Sequence, residues 1–243
     1  MDYLRTVRAL MDELESRSAK QTDAAAEAVV AALTAGNEFY VSSLGHGNDG
    51  DLLYRAGGLV AAQAFNFSLN VNDRTGSIER ERPREEPLDA GLEAARLAVR
   101  SSHMRRGDCL VVGSVSGRSG APISLAIAAG EIGVTVIGIT SLEYSSRIQS
   151  THSSGRRLMD VCDIVVDNCV PYGDAGMEIE GLPEKAIPMS GVATIVVCWM
   201  IHAQIIEKLL QQGLQPSFYI SANRPDGPEF NENMRKQFNR QGY

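Results

Sequence analysis

Apolar residues recur at three- and four-residue steps through Tyr3, Leu4, Val7, Leu10, Met11 and Leu14, the spacing that lays one stripe of a helix against a core. Residues 24–33 give a second helical segment, which stops at Gly36. The period then shortens. Residues 38–44 (EFYVSSL) read as a strand with a glycine-rich loop directly behind it. A helix is predicted from Asp51, with that aspartate as its N-cap after Gly50, ending near Gly57 and Gly58. Residues 59–65 fit a strand or a helix end equally well. Helical spacing returns over 88–101, followed by a buried strand at 109–113, a helix at 121–130, a strand at 134–139 and a short strand at 164–166 before a long loop. A late helix carries Ile195, Trp199, His202, Ile206 and Leu209. Strands alternating with helices of this length predict an α/β fold whose parallel sheet is covered on both faces.

A chain of 243 residues, 44% of them apolar, can bury one sizeable core. We expect a single domain over residues 1–223, including the N-terminal helical segment, and a polar C-terminal tail at 224–243. The net charge of −7, with no long basic block, argues against nucleic acid or an anionic membrane as the main partner. Cys109, Cys162, Cys169 and Cys198 lie far apart without zinc-finger spacing and read as free thiols. The first thirty residues show a charged helical pattern unlike a signal peptide, so a reducing, cytoplasmic location is expected. The apolar stretch 191–206 contains His202 and Gln204 and is short and polar for a membrane span. Residues 70–86 mix Arg74, Arg80, Arg82 and Arg84 with Glu79, Glu81, Glu85 and Glu86, a composition that favours a solvated surface.

The densest chemistry lies in residues 110–123, LVVGSVSGRSGAPI. An apolar strand ends at Gly113 and opens at once into Ser114, Ser116, Gly117, Ser119 and Gly120. The amides at a helix start are unpaired donors and the helix dipole favours negative charge there. Serine hydroxyls add donors that rotate to suit an oxyanion. The same residues also suit a plain strand-to-helix turn, with Ser119 as N-cap and Pro122 in the first helical turn. What favours a ligand cup is convergence. In open parallel sheets ligands collect beyond the carboxyl ends of strands, and polar loops at 45–51, 114–120, 140–146 and 167–173 all fall there. Arg118 has two readings, a bidentate clamp on a phosphate, sulfonate or carboxylate, or a solvent-facing arginine at a helix start.

The order GHGND at 45–49, SVSGRS at 114–119 and ITS at 139–141 resembles the sugar isomerase (SIS) domain of phosphosugar isomerases and phosphosugar-binding regulators. The similarity covers nearly the whole chain. It extends to a bacterial subgroup of SIS proteins through YRAGGL, HSSGRRL, DIVVDNC, GDAGMEIEG and SAN. The resemblance implies a three-layer α/β/α sandwich around a five-stranded parallel sheet, flanked by an N-terminal helix and a long late helix. It also implies a homodimer or homotetramer with sites near subunit contacts and a sugar phosphate held by the serine loop; the isomerase reading requires no organic cofactor. Its serine-loop ligands map onto Ser114, Ser116 and Ser119, with Ser141 from the next loop; Gly45, His46, Gly47, Asn48, Asp49, Gly117 and Arg118 complete the expected binding residues. Many SIS proteins carry Ser or Thr where this chain has Asn48 and Asp49. A carboxylate beside the cup repels an anion unless it faces a sugar hydroxyl.

Moving a proton between adjacent sugar carbons needs a base near the C1–C2 protons and a group that polarises the carbonyl oxygen. Five residues are candidates. His202 lies on the apolar stripe of the late helix, the pattern of a packed core histidine, yet some SIS isomerases carry a functional histidine there in the context HA, read here as His202-Ala203. Cys198, one turn earlier, would supply a second metal ligand, but two ligands do not make a site, and no metal is expected. His152 lies in a loop and His46 between two glycines of the first loop. Glu180, which shares a side with Glu178 if MEIEGL is extended, and Glu79 are the carboxylates. The favoured function is an aldose–ketose isomerase working through an enediol. The alternatives are a sugar-phosphate-binding protein without turnover, an isomerase of a sulfonated sugar, or a lyase or etherase acting on an amino-sugar phosphate.

Overall fold

The computed structural model describes residues 2–45, 49–72 and 88–243; at Leu44, Gly45 and Asp49 only the backbone is described. Helix α1 (Tyr3–Thr34) is a single unbroken 32-residue helix, where the sequence pattern suggests two segments. The intervening polar stretch is no break, because Ser18 and Thr22 are themselves buried. Ser18 donates to the Asp167 carbonyl at 2.6 Å and Thr22 to the Ala19 carbonyl within the helix at 3.0 Å.

Strand β1 (Phe39–Gly45) leads to α2 (Asp49–Leu52). Helix α2 includes Asp51 in its interior, so that residue does not cap it, and the helix stops well before Gly57. In the ambiguous 59–65 run, Leu59 makes an isolated bridge to Phe218, residues 60–61 turn, and strand β2 occupies Ala62–Phe65. The remaining elements are α3 (Ala90–Ser101), β3 (Cys109–Gly113), α4 (Gly120–Glu131), β4 (Thr135–Thr140), α5 (Leu142–Ser146) and β5 (Ile164–Asp167), then a hairpin of β6 (Ala175–Met177) and β7 (Ala186–Pro188), α6 (Ser190–Gln211) and α7 (Gly227–Gln241). Residues 224–243, read as a polar tail, thus hold α7, whose Phe238 packs against the core.

Five strands form one parallel sheet in the order β2-β1-β3-β4-β5. Alternate side chains feed opposite faces. Phe39, Val41, Cys109, Val111, Ile137 and Ile139 pack with α1 and α6, whereas Tyr40, Leu110, Val112 and Val136 pack with α3 and α4. The result is the expected three-layer α/β/α sandwich. Helix α6 is long and apolar enough to cross a membrane by length and composition alone, and it lies here against α1 and the sheet with Ala193, Val197, Ile201 and Ile205 buried. Asp167 secures α1 to the carboxyl end of β5. Its nearly buried carboxylate takes the Arg17 guanidinium at 2.7 Å and the amides of Leu142 and Cys169 at 3.1 and 3.0 Å.

Candidate functional site

Strand register sets the site. Gly45 of β1 and Ile139 of β4 both pair with Gly113 of β3, so the first glycine loop, the serine loop and the Thr140–Ser141 loop leave the sheet side by side. The serine loop is held by its carbonyls. Val115 O accepts from Thr140 Oγ1 at 3.1 Å and the Ser141 amide at 2.9 Å, Ser116 O from Ser145 Oγ at 2.8 Å, and Gly117 O from the Leu158 amide at 2.8 Å. Arg118 O accepts from both the amide and hydroxyl of Thr151, at 3.0 and 2.8 Å. Gly117 makes this tight turn practicable. It sits at φ +66°, and a Cβ there would collide with Ser145 Oγ and lie 3.0 Å from Thr140 Oγ1.

The donor side of the loop is left open. Ser114 is buried, Ser116 half-buried and Ser119 exposed, and among the described residues none of the three hydroxyls has a hydrogen-bond partner. Ser119 occupies the N-cap position of α4 in extended conformation, yet its side chain makes no cap bond. The first-turn amides of α4, which have no partner inside a helix, therefore keep their donors available. Ser141 differs from the expectation. Its hydroxyl donates to the Val170 carbonyl at 2.6 Å and accepts the Tyr144 amide at 3.0 Å, so it caps α5 and has no proton left for an anion. Arg118 is exposed and makes no ion pair among the described residues.

Beside the start of α4 lies a cleft of about 880 Å³ bordered by Gly120, Ala121, Ser124, Asp89, His152 and Ser153. His152 is buried, and both of its nitrogens are committed. Nδ1 accepts the Ser154 amide at 3.0 Å, which puts the proton of the neutral ring on Nε2, facing Ser124 Oγ at 3.2 Å and Asp89 Oδ2 at 3.6 Å. Asp89 caps α3 by accepting the Leu92 amide at 2.9 Å and also takes the Ser153 hydroxyl. Those donors hold its carboxyl below the usual carboxylate range, the Ser153 hydrogen bond most of all. His152 thus joins α3, α4 and the turn whose Thr151 grips the serine loop.

His202 is almost fully buried in the core. Nδ1 donates to the Cys198 carbonyl at 2.9 Å, Nε2 has no partner among the described residues, and Phe39 and Trp199 flank the ring at 5.8 and 5.4 Å. Burial pushes its pKa below the usual histidine value. It borders a small cavity lined by Val41, Leu52 and Val111, an apolar setting. Cys198 contributes only its carbonyl, and no cluster of three His, Cys, Asp or Glu residues able to hold a metal exists among the described residues. Glu180 is exposed beyond β6, which ends at Met177; in the same turn region Glu178 pairs with Lys185 at 3.7 Å. The structure does not join Glu180 to the serine loop. His46, Gly47, Asn48 and Glu79 lie outside the described residues, as does the side chain of Asp49.

Sequence reasoning overlooked Asp89, Ser124, Thr140 and Ser145. Asp89 had a legible signal, an aspartate at the start of the 88–101 run where an N-cap belongs. The hydroxyls of Thr140 and Ser145 had none, because their part is to bond a loop distant in sequence.

A profile of the SIS domain matches residues 2–141. The chain belongs to the SIS-domain family. This SIS protein is 31% identical over 241 residues to a UPF0309 protein of Caldanaerobacter subterraneus subsp. tengcongensis, covering 97% of this chain and 96% of the relative. It is 35% identical over 247 residues to a UPF0309 protein of Shouchella clausii, covering 98% and 94%. Among solved structures, phosphoheptose isomerase GmhA from Neisseria gonorrhoeae superposes with a TM-score of 0.52 at 18% identity, over 84% of this chain and 92% of that one, a likeness of fold. The SIS fold expected from the loop motifs is therefore the fold observed, and SIS membership supports a phosphosugar-related function.

Proposed function

We propose that this SIS protein binds the charged end of a phosphosugar, or of a similarly anionic sugar, at the serine loop and interconverts the sugar's aldose and ketose forms. The observation that carries the reading is the division of labour in the loop. Its carbonyls are consumed by Thr140, Ser141, Ser145, Thr151 and Leu158, while the hydroxyls of Ser114, Ser116 and Ser119 and the first turn of α4 are left to a ligand. An oxyanion needs several donors and no competing acceptor, and this surface supplies that.

Isomerisation further requires a base at the C1–C2 protons. His152 has both nitrogens engaged and His202 sits in the core, so we assign the proton transfer to His46 or Glu79, while His152 and Asp89 position the loop. The enediol route needs no organic cofactor. A homodimer or homotetramer in the cytoplasm remains our expectation from family membership.

The test is incubation with a panel of sugar phosphates and sulfonated sugars in deuterated water. Proton NMR showing C2 exchange, abolished by His46→Ala or Glu79→Gln, supports the isomerase. One specific observation favours a second reading: every described histidine or glutamate candidate is engaged elsewhere or remote. Tight binding without exchange for any sugar would identify a sugar-phosphate-binding protein without turnover. No binding by any of them would refute both.

A further inference from the structure

A second cleft, of about 820 Å³, lies at the edge of the sheet, where among the described residues β2 pairs only with β1. Glu38 and Arg105 on its wall precede β1 and β3, while Gln63 to Asn66 line it along β2, so it runs along the sheet edge from the amino ends and shares no lining residue with the serine loop. Its walls are unusually aromatic. Tyr54 and Tyr219 stand with ring centroids 6.3 Å apart, and Tyr40 and Phe65 6.2 Å apart.

One of these tyrosines is poorly explained by folding. Tyr54 is 68% exposed and held at φ +59°, a left-handed conformation that a bulky side chain rarely adopts without a functional reason. Tyr40 is 9% exposed and packs in the core beside Phe65, and its hydroxyl, without a partner among the described residues, is open to solvent. Cationic groups stand beside the rings. Arg105 donates from Nη1 to the Ser102 and Met104 carbonyls and makes no ion pair among the described residues, leaving Nε and Nη2 free; Arg235, also on the wall, is already paired with Glu232 at 2.7 Å. Glu38 offers a carboxylate that accepts no hydrogen bond there.

A ligand that satisfies all three sets presents a flat ring to the tyrosines, an anion to Arg105 and donor groups to Glu38. We propose that this cleft is a second, regulatory binding site for a purine nucleoside monophosphate, separate from the serine loop. The ring stacks on Tyr54, the phosphate engages Arg105, and the exocyclic amine or ribose hydroxyls donate to Glu38.

Isothermal titration of the full chain with adenosine monophosphate tests this. Binding is expected in the wild type, weakened at least about fivefold by Tyr54→Ala, the lower end of what one base–aromatic stack contributes. Arg105→Gln should weaken it too, whereas Tyr40→Phe, which keeps the ring and the fold, should cost only the hydroxyl's contact. Ser116→Ala should leave it unchanged. The proposal is overturned if no binding is seen at millimolar nucleotide. It is also overturned if binding survives Tyr54→Ala and Arg105→Gln, or is lost in Ser116→Ala, because the nucleotide would then occupy the serine loop.

Discussion

Replacing Gly117 with alanine should damage the fold where the site is built. A Cβ at this position meets two obstacles. The backbone at φ +66° lies in the left-handed region, which costs an L-residue about 1–2 kcal/mol. The methyl would also strike Ser145 Oγ and sit 3.0 Å from Thr140 Oγ1, the two hydroxyls that fasten the carbonyls of Ser116 and Val115. Forcing one extra carbon into packed surroundings costs about 1–3 kcal/mol. The expected loss is therefore roughly 2–5 kcal/mol, measurable as a lowered urea midpoint at unchanged slope. Gly120, three residues on, is the control: a Cβ there meets nothing within 4 Å and no left-handed φ is involved. Gly120→Ala should stay within about 0.5 kcal/mol of wild type. If Gly117→Ala were as mild as Gly120→Ala, the claim that Thr140 and Ser145 brace the serine loop would be refuted.

Stability should also respond to pH through His202. Burial lowers its pKa in the folded state, so the unfolded chain binds the extra proton as pH drops below the usual 6.5. Its contribution is complete above that value and declines on acidification toward the folded pKa, and His202→Phe should flatten the profile in urea titrations at a series of pH values. Asp89→Ala should lower stability by about 0.5–2 kcal/mol through loss of the α3 cap, and by loosening the Ser153 turn should also weaken anion binding; unaltered affinity would mean that the turn does not steady the loop. Arg17→Ala leaves the Asp167 carboxylate with only amide partners and should cost about 1–3 kcal/mol by chemical denaturation.

Much of the architecture was legible because the strands 109–113 and 135–140 are continuous apolar runs bounded by glycine and polar loops, and such runs have few other homes than a doubly covered parallel sheet. The failures were local. The break between two N-terminal helices was inferred from polar residues, but Ser18 and Thr22 are buried against β5 and within the helix, partners no periodicity reveals. Strand β2 was ambiguous because four residues are too few to show a period. At the site, the serine loop was readable from its own residues. The status of Ser141 and His152 was not, since it depends on Val170, Ser124 and Asp89, which only folding brings near.

The central claim is that the hydroxyls of the serine loop hold the charged group of a sugar. Titration of a sugar phosphate into wild type and Ser116→Ala, followed by phosphorus NMR, addresses it directly. The account predicts a bound resonance in the wild type and an affinity reduced by about 1–3 kcal/mol in the variant, the range for leaving a charged acceptor without its donor. Equal affinity in the two proteins would contradict it.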